Sequence, residues 1–259
     1  MPWPLRGLRD GILTSRYPRK PDEYAESWRG AIDVLDPDRP ERHDVAALCP
    51  TAAIGQDDQH LVSVDRGRCI LCGACVGARP DRFGWAAGTD LGSPTRGGLV
   101  VPQRQEDDDS LAALRVDLAR RVRAFGRSVH VRHVDAGSDG ADEWEVKALT
   151  NPTYDVHRLG IFLTASPRHA DLLLITGAGA QGMSEPVAGT LQATARPVVI
   201  IAAGTDAISG GMVSPSYATA GGIGDLIDVD VWVPGSPPTP FALLHGILLA
   251  LGRLPEVRR

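Results

Sequence analysis

The sequence predicts an α/β chain in two parts: a loop-rich N-terminal part held together by a metal centre, and a C-terminal parallel sheet covered by helices on both faces. Two observations predict this division. All four cysteines lie before residue 105, in a stretch with few long apolar patterns, and a region that buries little apolar surface depends on a metal centre for its folding. After residue 126, continuous apolar strands alternate with helical stretches, which is typical of a parallel sheet buried on both faces.

Composition is typical of a soluble globular protein and excludes several classes of function. Of the 259 residues, 43% are hydrophobic and 23% are charged, and a net charge of -5 argues against DNA or RNA as a partner. The longest apolar run, residues 241–251, is too short for a membrane span and is interrupted by His245 and Gly246. Because the first residues lack a secretory pattern, we expect a reducing, cytoplasmic location, where four cysteines favour a metal site over disulfides.

Cys69, Cys72 and Cys75 form a C-x2-C-x2-C run, the spacing that lets three thiolates on one tight loop bind a single [4Fe–4S] cube. A bacterial ferredoxin run continues with three residues and then Cys-Pro, but here Arg79 stands where that cysteine would be. In proteins with two such runs the fourth cysteine of one run binds the other cluster, and Cys49, followed by a proline, supplies it. The sequence therefore predicts one [4Fe–4S] cluster bound by Cys49, Cys69, Cys72 and Cys75. A zinc site with the same ligands and plain buried thiols are the alternatives.

The ligand positions of a second cluster, counted with the same spacing, contain no cysteine. They are occupied by Arg39, Arg42, Val45 and Arg79. The arginines at these positions either form surface ion pairs or bind an anion, and we favour ion pairs. The candidate acidic partners are Asp36, Asp38, Glu41, Asp44 and Asp81.

The acidic stretch 106–110 predicts a linker that becomes a helix, because Asp109 or Ser110 can cap exposed N–H groups and negative charge suits that end of the helix dipole. Apolar residues then recur at three- and four-residue steps, which predicts one buried face. That face would consist of Leu111, Leu114, Leu118, Val122 and Phe125. We expect Gly126 to end the helix.

Beyond Gly126 the sequence alternates between apolar strands and helical stretches. Strands are predicted at residues 129–134, 161–164, 172–176, 198–202 and 229–233. Helices are predicted near residues 143–149, 182–195 and 240–251. Ligands of such sheets bind in the loops beyond the carboxyl ends of the strands, which here are residues 135–142, 165–171, 177–182, 204–211 and 234–238.

The first hundred positions resemble the two-cluster ferredoxin-type subunit of group 4 energy-converting [NiFe] hydrogenases and formate hydrogenlyases, a relative of a hydrophilic complex I subunit. The phrase from Arg6 to Pro18, followed by Trp28-Arg29-Gly30, carries this resemblance together with the cysteine pattern. The resemblance implies an N-terminal ferredoxin-like iron–sulfur domain over residues 1–105. It also implies that the opening stretch lies along the membrane arm of a larger assembly.

Residues 128 to 254 are similar to the small subunit of the same enzymes, which has the complex I 20 kDa-type fold. The phrases that carry this similarity are residues 134–138, 149–152, 165–171, 208–211 and 233–235. The similarity implies a flavodoxin-like, doubly wound parallel sheet over residues 128–259, joined to the first domain by a linker helix at 106–127. The chain thus resembles two neighbouring subunits fused into one polypeptide.

The small subunit of these enzymes holds its own [4Fe–4S] cluster with four cysteines, and matching the phrases places them where this chain has oxygen ligands. The residues at those positions are Asp139, Asp142, Asp206 and Ser236, which do not suit an iron–sulfur cube. Crowded carboxylates either bind a hard cation such as Mg2+, Ca2+ or Mn2+, or line a vacated polar pocket. We favour the vacated pocket, in which Asp139 and Asp142 cap the following helix and an arginine such as Arg168 balances the charge.

Two further features are assigned structural roles. His169, beside Arg168 in a loop expected to face the pocket, is the histidine best placed for a function, but a structural role is favoured. Residues 177–182 fit G-x-G-x-x-G and lack the Lys-Ser/Thr of a phosphate loop. The family resemblance explains them as a pocket loop.

The resemblance implies an iron–sulfur electron-transfer or scaffold subunit of a membrane-bound complex related to group 4 hydrogenases and complex I, with no catalytic residues of its own. Because the last relay cluster is missing, ordinary hydrogenase chemistry is not expected. One alternative is a non-redox structural protein whose cluster only stabilises the fold. Another is an independent enzyme with a divalent metal at the three aspartates.

The expected partners are a hydrogenase large-subunit-like or complex I 49 kDa-like protein and the membrane subunits of the same complex. The chain would then be cytoplasmic and peripheral on the inner face of the cell membrane. Contact with the membrane is expected only through those partners.

Overall fold

Short strands and helices make up the N-terminal part of the computed structural model, which describes residues 3–21, 25–104, 108–126, 128–214 and 216–254. In chain order the elements are α1 (Trp3–Asp10), β1 (Ala31–Val34), β2 (Ile54–Gln56), β3 (Val62–Asp65), α2 (Ala74–Ala78), β4 (Phe83–Ala86) and β5 (Val100–Val101). β1 pairs with β4, and β3 pairs with both β2 and β5, all antiparallel. The sequence analysis assigned no strands here, because runs this short do not display a recognisable period.

A small core lies between these strands. Alternation along β3 buries Val62 and Val64 while Ser63 and Asp65 remain partly exposed, as expected for successive side chains on opposite faces of a strand. The buried members of this core are Ile32, Val45, Ile54, Val62, Val64 and Phe83. Cys49, Cys69 and Cys75 pack against it, so the cysteine loops form part of the wall of the core.

Helix α3 (Asp108–Val122), extended by a 3-10 turn to Phe125, occupies the stretch where a linker helix was predicted. Leu118 and Val122 are buried, but Leu114 is 45% exposed, so the buried face is narrower than predicted. Gly126 follows with a φ of 61° and ends the helical stretch. Asp109 and Ser110 lie within the helix and therefore do not precede it as caps. Residues 106, 107 and 127 of the predicted linker lie outside the described residues.

The C-terminal part is built on a parallel sheet. Its elements are β6 (Val129–Asp135), α4 (Ala141–Ala148), β7 (Ile161–Leu163), β8 (Leu172–Thr176), α5 (Ser184–Ala193), β9 (Val199–Ala203), α6 (Thr205–Ser209), β10 (Val231–Val233) and α7 (Pro240–Ala250). The five strands are parallel and lie in the order β10-β9-β8-β6-β7. Counted from β6, this is the 2-1-3-4-5 order of flavodoxin-like sheets, whose ligands bind where the order reverses, here between β6 and β8. The predicted α/β class and parallel sheet are confirmed.

Both faces of the sheet are covered. Leu172 and Leu174 of β8 face a core that includes residues of α3, α4 and α7, whereas Leu173 and Ile175 face a second core with residues of α5 and α6. All five residues of β8 are buried. Burial on both sides is the physical reason why this strand is a continuous apolar run rather than an alternating one.

One helix differs from the sequence-based expectation. Residues 204–211 were expected to form a loop after β9, but Thr205–Ser209 form α6, with Thr205, Ala207 and Ile208 buried. The other predicted C-terminal helices and strands occur with shifts of a few residues at their ends. A five-residue helix is too short to give a helical period in the sequence.

The two parts of the chain are in direct contact. Ser93 and Trp232 exchange backbone hydrogen bonds of 2.9 and 2.8 Å at the edge of β10. The hydroxyl of the buried Tyr17 lies 2.7 Å from Nδ1 of His245 in α7 and 3.1 Å from Oδ1 of Asp90. Within the described residues, none of the helices has the length and apolarity needed to cross a membrane.

Candidate functional site

All four cysteines line one cavity in the N-terminal part, which we call the cysteine cavity. Its ligand-type side chains are Cys49, Cys69, Cys72 and Cys75. Apolar side chains including Ile32, Ile54 and Val64 form the rest of its wall. Cys72 is exposed and the other three thiols are half-buried, so the cavity is covered by protein on one side and faces the surface on the other.

Two residues with left-handed backbone shape the loop that carries three of these thiols. Leu71 and Gly73 have φ values of 57° and 71°, and they turn the chain tightly between Cys69 and Cys75. A Cβ at position 73 would lie 2.9 Å from the ring of Trp85, so both conformation and space favour glycine there. Cys75 then lies in α2.

Cys49 approaches the same cavity from the end of a 3-10 turn over Ala46–Leu48. Its sulfur accepts a hydrogen bond from the backbone N–H of Ala53 at 3.2 Å. Thr51 Oγ1 lies 3.5 Å from the same sulfur and donates to the carbonyl of Arg68 at 2.7 Å, which ties the two cysteine loops together. Hydrogen bonds to sulfur are a known means of adjusting the potential of a cluster.

The thiols are electrostatically coupled. Burial, together with the charges of Cys75, Cys49 and Cys72, raises the pKa of Cys69 to about 11, against the lowering effect of a backbone hydrogen bond from Leu71. Burial, with contributions from Cys72 and Cys49, also raises the pKa of Cys75. Such thiols become thiolates when a metal centre replaces their protons, so the donor set fits a four-thiolate iron–sulfur cluster.

Two of the three arginines at the positions of the second run, Arg39 and Arg79, form an ion-pair network, as favoured from the sequence. Arg79 contacts Glu41 at 2.7 Å and Asp81 at 2.9 Å, and Arg39 contacts Asp81 at 2.9 Å. Hydrogen bonds from His43, followed by Arg79, lower the pKa of Glu41. Among the described residues, Arg42 takes no part in this network.

Arg82 was not singled out from the sequence, although its side chain is fully buried in the same network. Its guanidinium donates to the carbonyls of Leu35, Asp36 and Arg39 and lies 3.4 Å from Glu41. Among the described residues Nε has no hydrogen-bond partner, so the buried charge is balanced by its two Nη donors and by the nearby carboxylate of Glu41.

A second set of polar side chains lies at the carboxyl ends of β6 and β9, which we call the acidic pocket. Its members are Asp135, Asp139, Asp142, Glu143 and Asp206. They form one group because the charges of the other four raise the pKa of Asp142. Of the four positions matched to the lost cysteines, the three aspartates are thus brought together. Ser236 follows β10 on the adjacent loop with its side chain exposed.

Asp142 is the most perturbed carboxyl of the acidic pocket. It is only 6% exposed, and within the described part of the chain it has no hydrogen-bond or ion-pair partner. Burial, then the charges of Asp206, Glu143, Asp139 and Asp135, raise its pKa to about 8. Burial, Asp139 and Glu143 also raise the pKa of Asp206.

The expected capping and charge balance are found only in part. Asp139 accepts a hydrogen bond from the backbone N–H of Ala141 at 2.9 Å, whereas Asp142 lies in the first turn of α4 and caps nothing. Arg168 and His169 are exposed in a 3-10 turn, and no ion pair joins either of them to the described acids. Across the described ranges, no group of three or more His, Cys, Asp or Glu side chains is arranged to hold a metal ion.

Thr176 and His133 extend the acidic pocket through its member Glu143, and the sequence alone predicted a site role for none of these three residues. Thr176 donates to Glu143 at 2.5 Å, and its hydroxyl lies 2.9 Å from Nε2 of His133. Ser138 donates to the other oxygen of Glu143 at 2.6 Å. The run of acids from Asp135 to Glu143 was the available signal in the sequence. Thr176 gave none, because it lies in β8 and reaches the pocket only through sheet pairing.

The glycine-rich loop 177–182 has a packing role. A Cβ at Gly177 would lie 2.7 to 2.8 Å from the backbone of Gly137 and Ser138. The loops after β6 and β8 therefore approach each other too closely for any larger residue. The close approach lies at the point where the strand order reverses, and the role of residues 177–182 as a pocket loop stays a prediction.

Helix α6 joins the cysteine cavity to the acidic pocket. Thr205 Oγ1 donates to the carbonyl of Cys69, and Ser209 Oγ donates to the carbonyl of Gly67, each at 3.0 Å. Asp206, in the same helix, belongs to the acidic pocket, because its charge raises the pKa of Asp142. The two sites are therefore separated by little more than one short helix.

Several known proteins are similar to this chain. A family model for the 20 kDa subunit of NADH ubiquinone oxidoreductase matches residues 140–250. Formate hydrogenlyase subunit 7 of Escherichia coli is 37% identical over 64% of this chain and 63% of its own length. A protein named as a probable membrane-bound hydrogenase subunit of Pyrococcus furiosus is 39% identical over 54% of this chain and 84% of its own length. An NADH-quinone oxidoreductase subunit of Carboxydothermus hydrogenoformans is 42% identical over 40% of this chain and 63% of its own length.

Proposed function

The chain belongs to the family of the 20 kDa subunit of NADH ubiquinone oxidoreductase, and on that premise we propose that it is an iron–sulfur electron-transfer subunit of a membrane-bound complex related to group 4 hydrogenases and complex I. Its relatives are named as subunits of formate hydrogenlyase, of a membrane-bound hydrogenase and of NADH-quinone oxidoreductase. The chain spans less than two thirds of the first of these, 63% of its length. The activity of the complex to which the chain would belong is therefore proposed as well.

One observation carries the proposal: four thiols line a single cavity. A single ion draws its four thiolates to one point, whereas a [4Fe–4S] cube holds them apart around a cluster. A cavity bordered by cysteines suits the cube. Cys49, Cys69, Cys72 and Cys75 would hold one [4Fe–4S] cluster, which supplies one-electron transfer when bound.

The residues around the thiols would adjust that cluster. The N–H of Ala53 donates to the sulfur of Cys49 and favours negative charge on it. The apolar wall formed by Ile32, Ile54 and Val64 keeps water from the inner side. Exposed Cys72 would place the outer side near the surface, where electrons exchange with a partner.

The chain is further proposed to be a fusion of two subunits. Residues 1–105 would be the ferredoxin-like domain, 106–127 the linker and 128–259 the 20 kDa-like domain, whose cluster ligands have been replaced at Asp139, Asp142, Asp206 and Ser236. Without that relay, electrons from the first cluster have no usual path to a hydrogenase-type centre. The complex is then expected not to perform ordinary hydrogenase chemistry.

The proposed partners are a hydrogenase large-subunit-like or complex I 49 kDa-like protein and the membrane subunits of the same complex. The proposed location is the inner face of the cell membrane. The names of the relatives, which include a membrane-bound hydrogenase subunit, support this assignment.

A second candidate function is a scaffold whose cluster only stabilises the fold. It is favoured by the contact of Cys49, Cys69 and Cys75 with a core of only six buried apolar residues, since small domains often depend on a metal centre for stability. A redox titration distinguishes the two. A relay cycles reversibly between two oxidation states, whereas a purely structural cluster resists reduction or is destroyed by it.

The test is iron and acid-labile sulfide content, with electron paramagnetic resonance before and after dithionite, on anaerobically purified protein. We expect about four irons per chain and one reducible signal. The Cys72→Ser variant should lose that signal. The control Ala74→Ser, at an exposed position in the same segment, should keep it. Stoichiometric zinc without iron would contradict the electron-transfer proposal.

A further inference from the structure

A basic cavity lies between the N-terminal segment and the C-terminal part, far in sequence from the cysteines. Ile12, Arg16, Pro18, Arg19, Lys20, Arg158 and Leu159 line it. A second cavity continues from it through Pro18, Arg19 and Leu159 to Leu248 and Arg253. We call the combined feature the basic cavity, with Arg16, Arg19, Lys20, Arg158 and Arg253 as its cations.

The position of this cavity is fixed by hydrogen bonds from both sides. Thr14 Oγ1 donates to the carbonyl of Pro152 at 2.8 Å, and Arg158 donates to the carbonyl of Tyr17 at 2.6 Å. Arg253 donates to the carbonyl of Leu159 at 2.9 Å. The segment that supplies Arg16, Arg19 and Lys20 is therefore held against the C-terminal part by defined contacts.

Three of the cations form no ion pair within the part of the chain that the structure describes. Within the described ranges, no carboxylate forms an ion pair with Arg16, Arg19 or Lys20. Burial and the charge of Arg19 lower the pKa of Arg158, while Asp155 opposes them. Like charges held together in this way are stabilised by a bound anion.

Exposed apolar side chains adjoin the cations. Leu8, Ile12 and Leu13 are 80%, 87% and 64% exposed, and Ile12 also lines the basic cavity. Leu5 and Leu8 lie three residues apart in α1, on the face next to Arg6 and Arg9. Apolar side chains beside a group of arginines and lysines are typical of a surface that binds anionic lipid.

We infer that the basic cavity binds the phosphate of an anionic phospholipid headgroup, while Leu8, Ile12 and Leu13 enter the interfacial region of the bilayer. The chain then contacts lipid directly, beyond the contact through partner subunits that its sequence led us to expect. An acidic protein surface would complement the cations equally well, but it gives no reason for the exposed leucines and isoleucine beside them. Lipid binding at the basic cavity does not require an iron–sulfur cluster in the cysteine cavity.

The test is flotation of the full-length, anaerobically purified chain with vesicles of phosphatidylcholine alone or with phosphatidylglycerol added. We expect binding to the anionic vesicles that decreases as salt is raised. The variant Arg19→Gln/Lys20→Gln should bind about thirtyfold more weakly, because each basic side chain near an anionic surface strengthens binding roughly fivefold. Ile12→Ser/Leu13→Ser should also bind more weakly, at unchanged charge.

The matched control is Arg42→Gln/Arg115→Gln, which removes two exposed arginines elsewhere. If this control loses as much binding, the attraction depends on net charge and not on the basic cavity, and the inference is overturned. Absence of vesicle binding would also overturn it and would point to an acidic protein partner. Full competition by millimolar inorganic phosphate, with no effect of Ile12→Ser/Leu13→Ser, would assign the cavity to free phosphate instead of lipid.

Discussion

The cysteine cavity and the acidic pocket lie on either side of α6 and differ in donor chemistry and in the core that supports them. The first has four soft thiols against a core of six buried apolar residues. The second has hard carboxylates at the edge of a five-stranded sheet covered on both faces. With the proposed cluster in place, the small region would depend on its site for folding, whereas the large region tolerates a site that costs stability.

The physical reason is the amount of buried apolar surface. Strands of two to four residues in the N-terminal part cannot offset the conformational entropy of the long loops between them. The sheet strands β8 and β9 are buried along their whole length. The free energy gained from this buried apolar surface can offset the cost of burying a carboxyl, such as that of Asp142, that has no partner among the described residues.

Removal of the proposed cluster should be the largest perturbation. Treatment with an iron chelator and oxidant should unfold residues 31–101, because the binding free energy of a structural metal is on the order of 10 kcal/mol. The sheet should remain folded. Hydrogen exchange measured by mass spectrometry should show lost protection in β1–β5 and retained protection in β6, β8 and β9.

The Cys72→Ser variant should reproduce the pattern of the chelated protein without any chelator. If β6, β8 and β9 lose protection together with β1–β5, the two regions form one cooperative unit. In that case the contrast drawn between them is wrong.

The second prediction concerns the pH dependence contributed by Asp142. Its pKa is raised from 3.8 to about 8 in the folded chain, so the folded state holds the proton more tightly than the unfolded state. The contribution to stability is complete below pH 4 and is lost as the pH rises to about 8. Asp142→Asn should remove this loss and stabilise the protein at pH 8 by on the order of 5 kcal/mol.

Urea unfolding at pH 5 and pH 8 measures this effect. The control Asp58→Asn, at an exposed turn position, should follow the wild-type pH dependence. A parallel pH dependence of Asp142→Asn and wild type would mean that the carboxyl is ionised at little cost, and the acidic pocket would then not differ from a solvated surface.

The smallest effect is expected at the contact between the two regions. Thr205→Val keeps the shape of a side chain that is 1% exposed and removes its hydrogen bond to the carbonyl of Cys69. The cost should be about 1–3 kcal/mol, because a buried acceptor loses its donor. Exchange at residues 67–69 should accelerate more than elsewhere.

Thr190→Val serves as its control, since the hydroxyl of Thr190 donates to the carbonyl of Pro186 within its own helix. It should change stability by less than about 0.5 kcal/mol. Equal effects of the two substitutions would show that α6 does not couple the cysteine cavity to the sheet.

Much of the site chemistry could be predicted from sequence because it is local. The spacing of Cys69, Cys72 and Cys75 is a property of one loop, and the distant Cys49 was found only because it restores the same pattern. The three aspartates of the acidic pocket came from the family resemblance. Their neighbours Thr176 and His133 could not be identified, because strand pairing brings them together from separate strands.

The sequence by itself determined the parallel sheet, the sites of its strands and the group of four cysteines, since these depend on periodicity and spacing within short segments. Only the tertiary structure decided that Arg82 is buried beside Glu41, that α6 separates the two sites, and that Asp142 has no partner among the described residues. Each of these results depends on packing between segments distant in the chain. Burial and long-range contact set the energy of a charged group, and neither is encoded in the residues immediately around it.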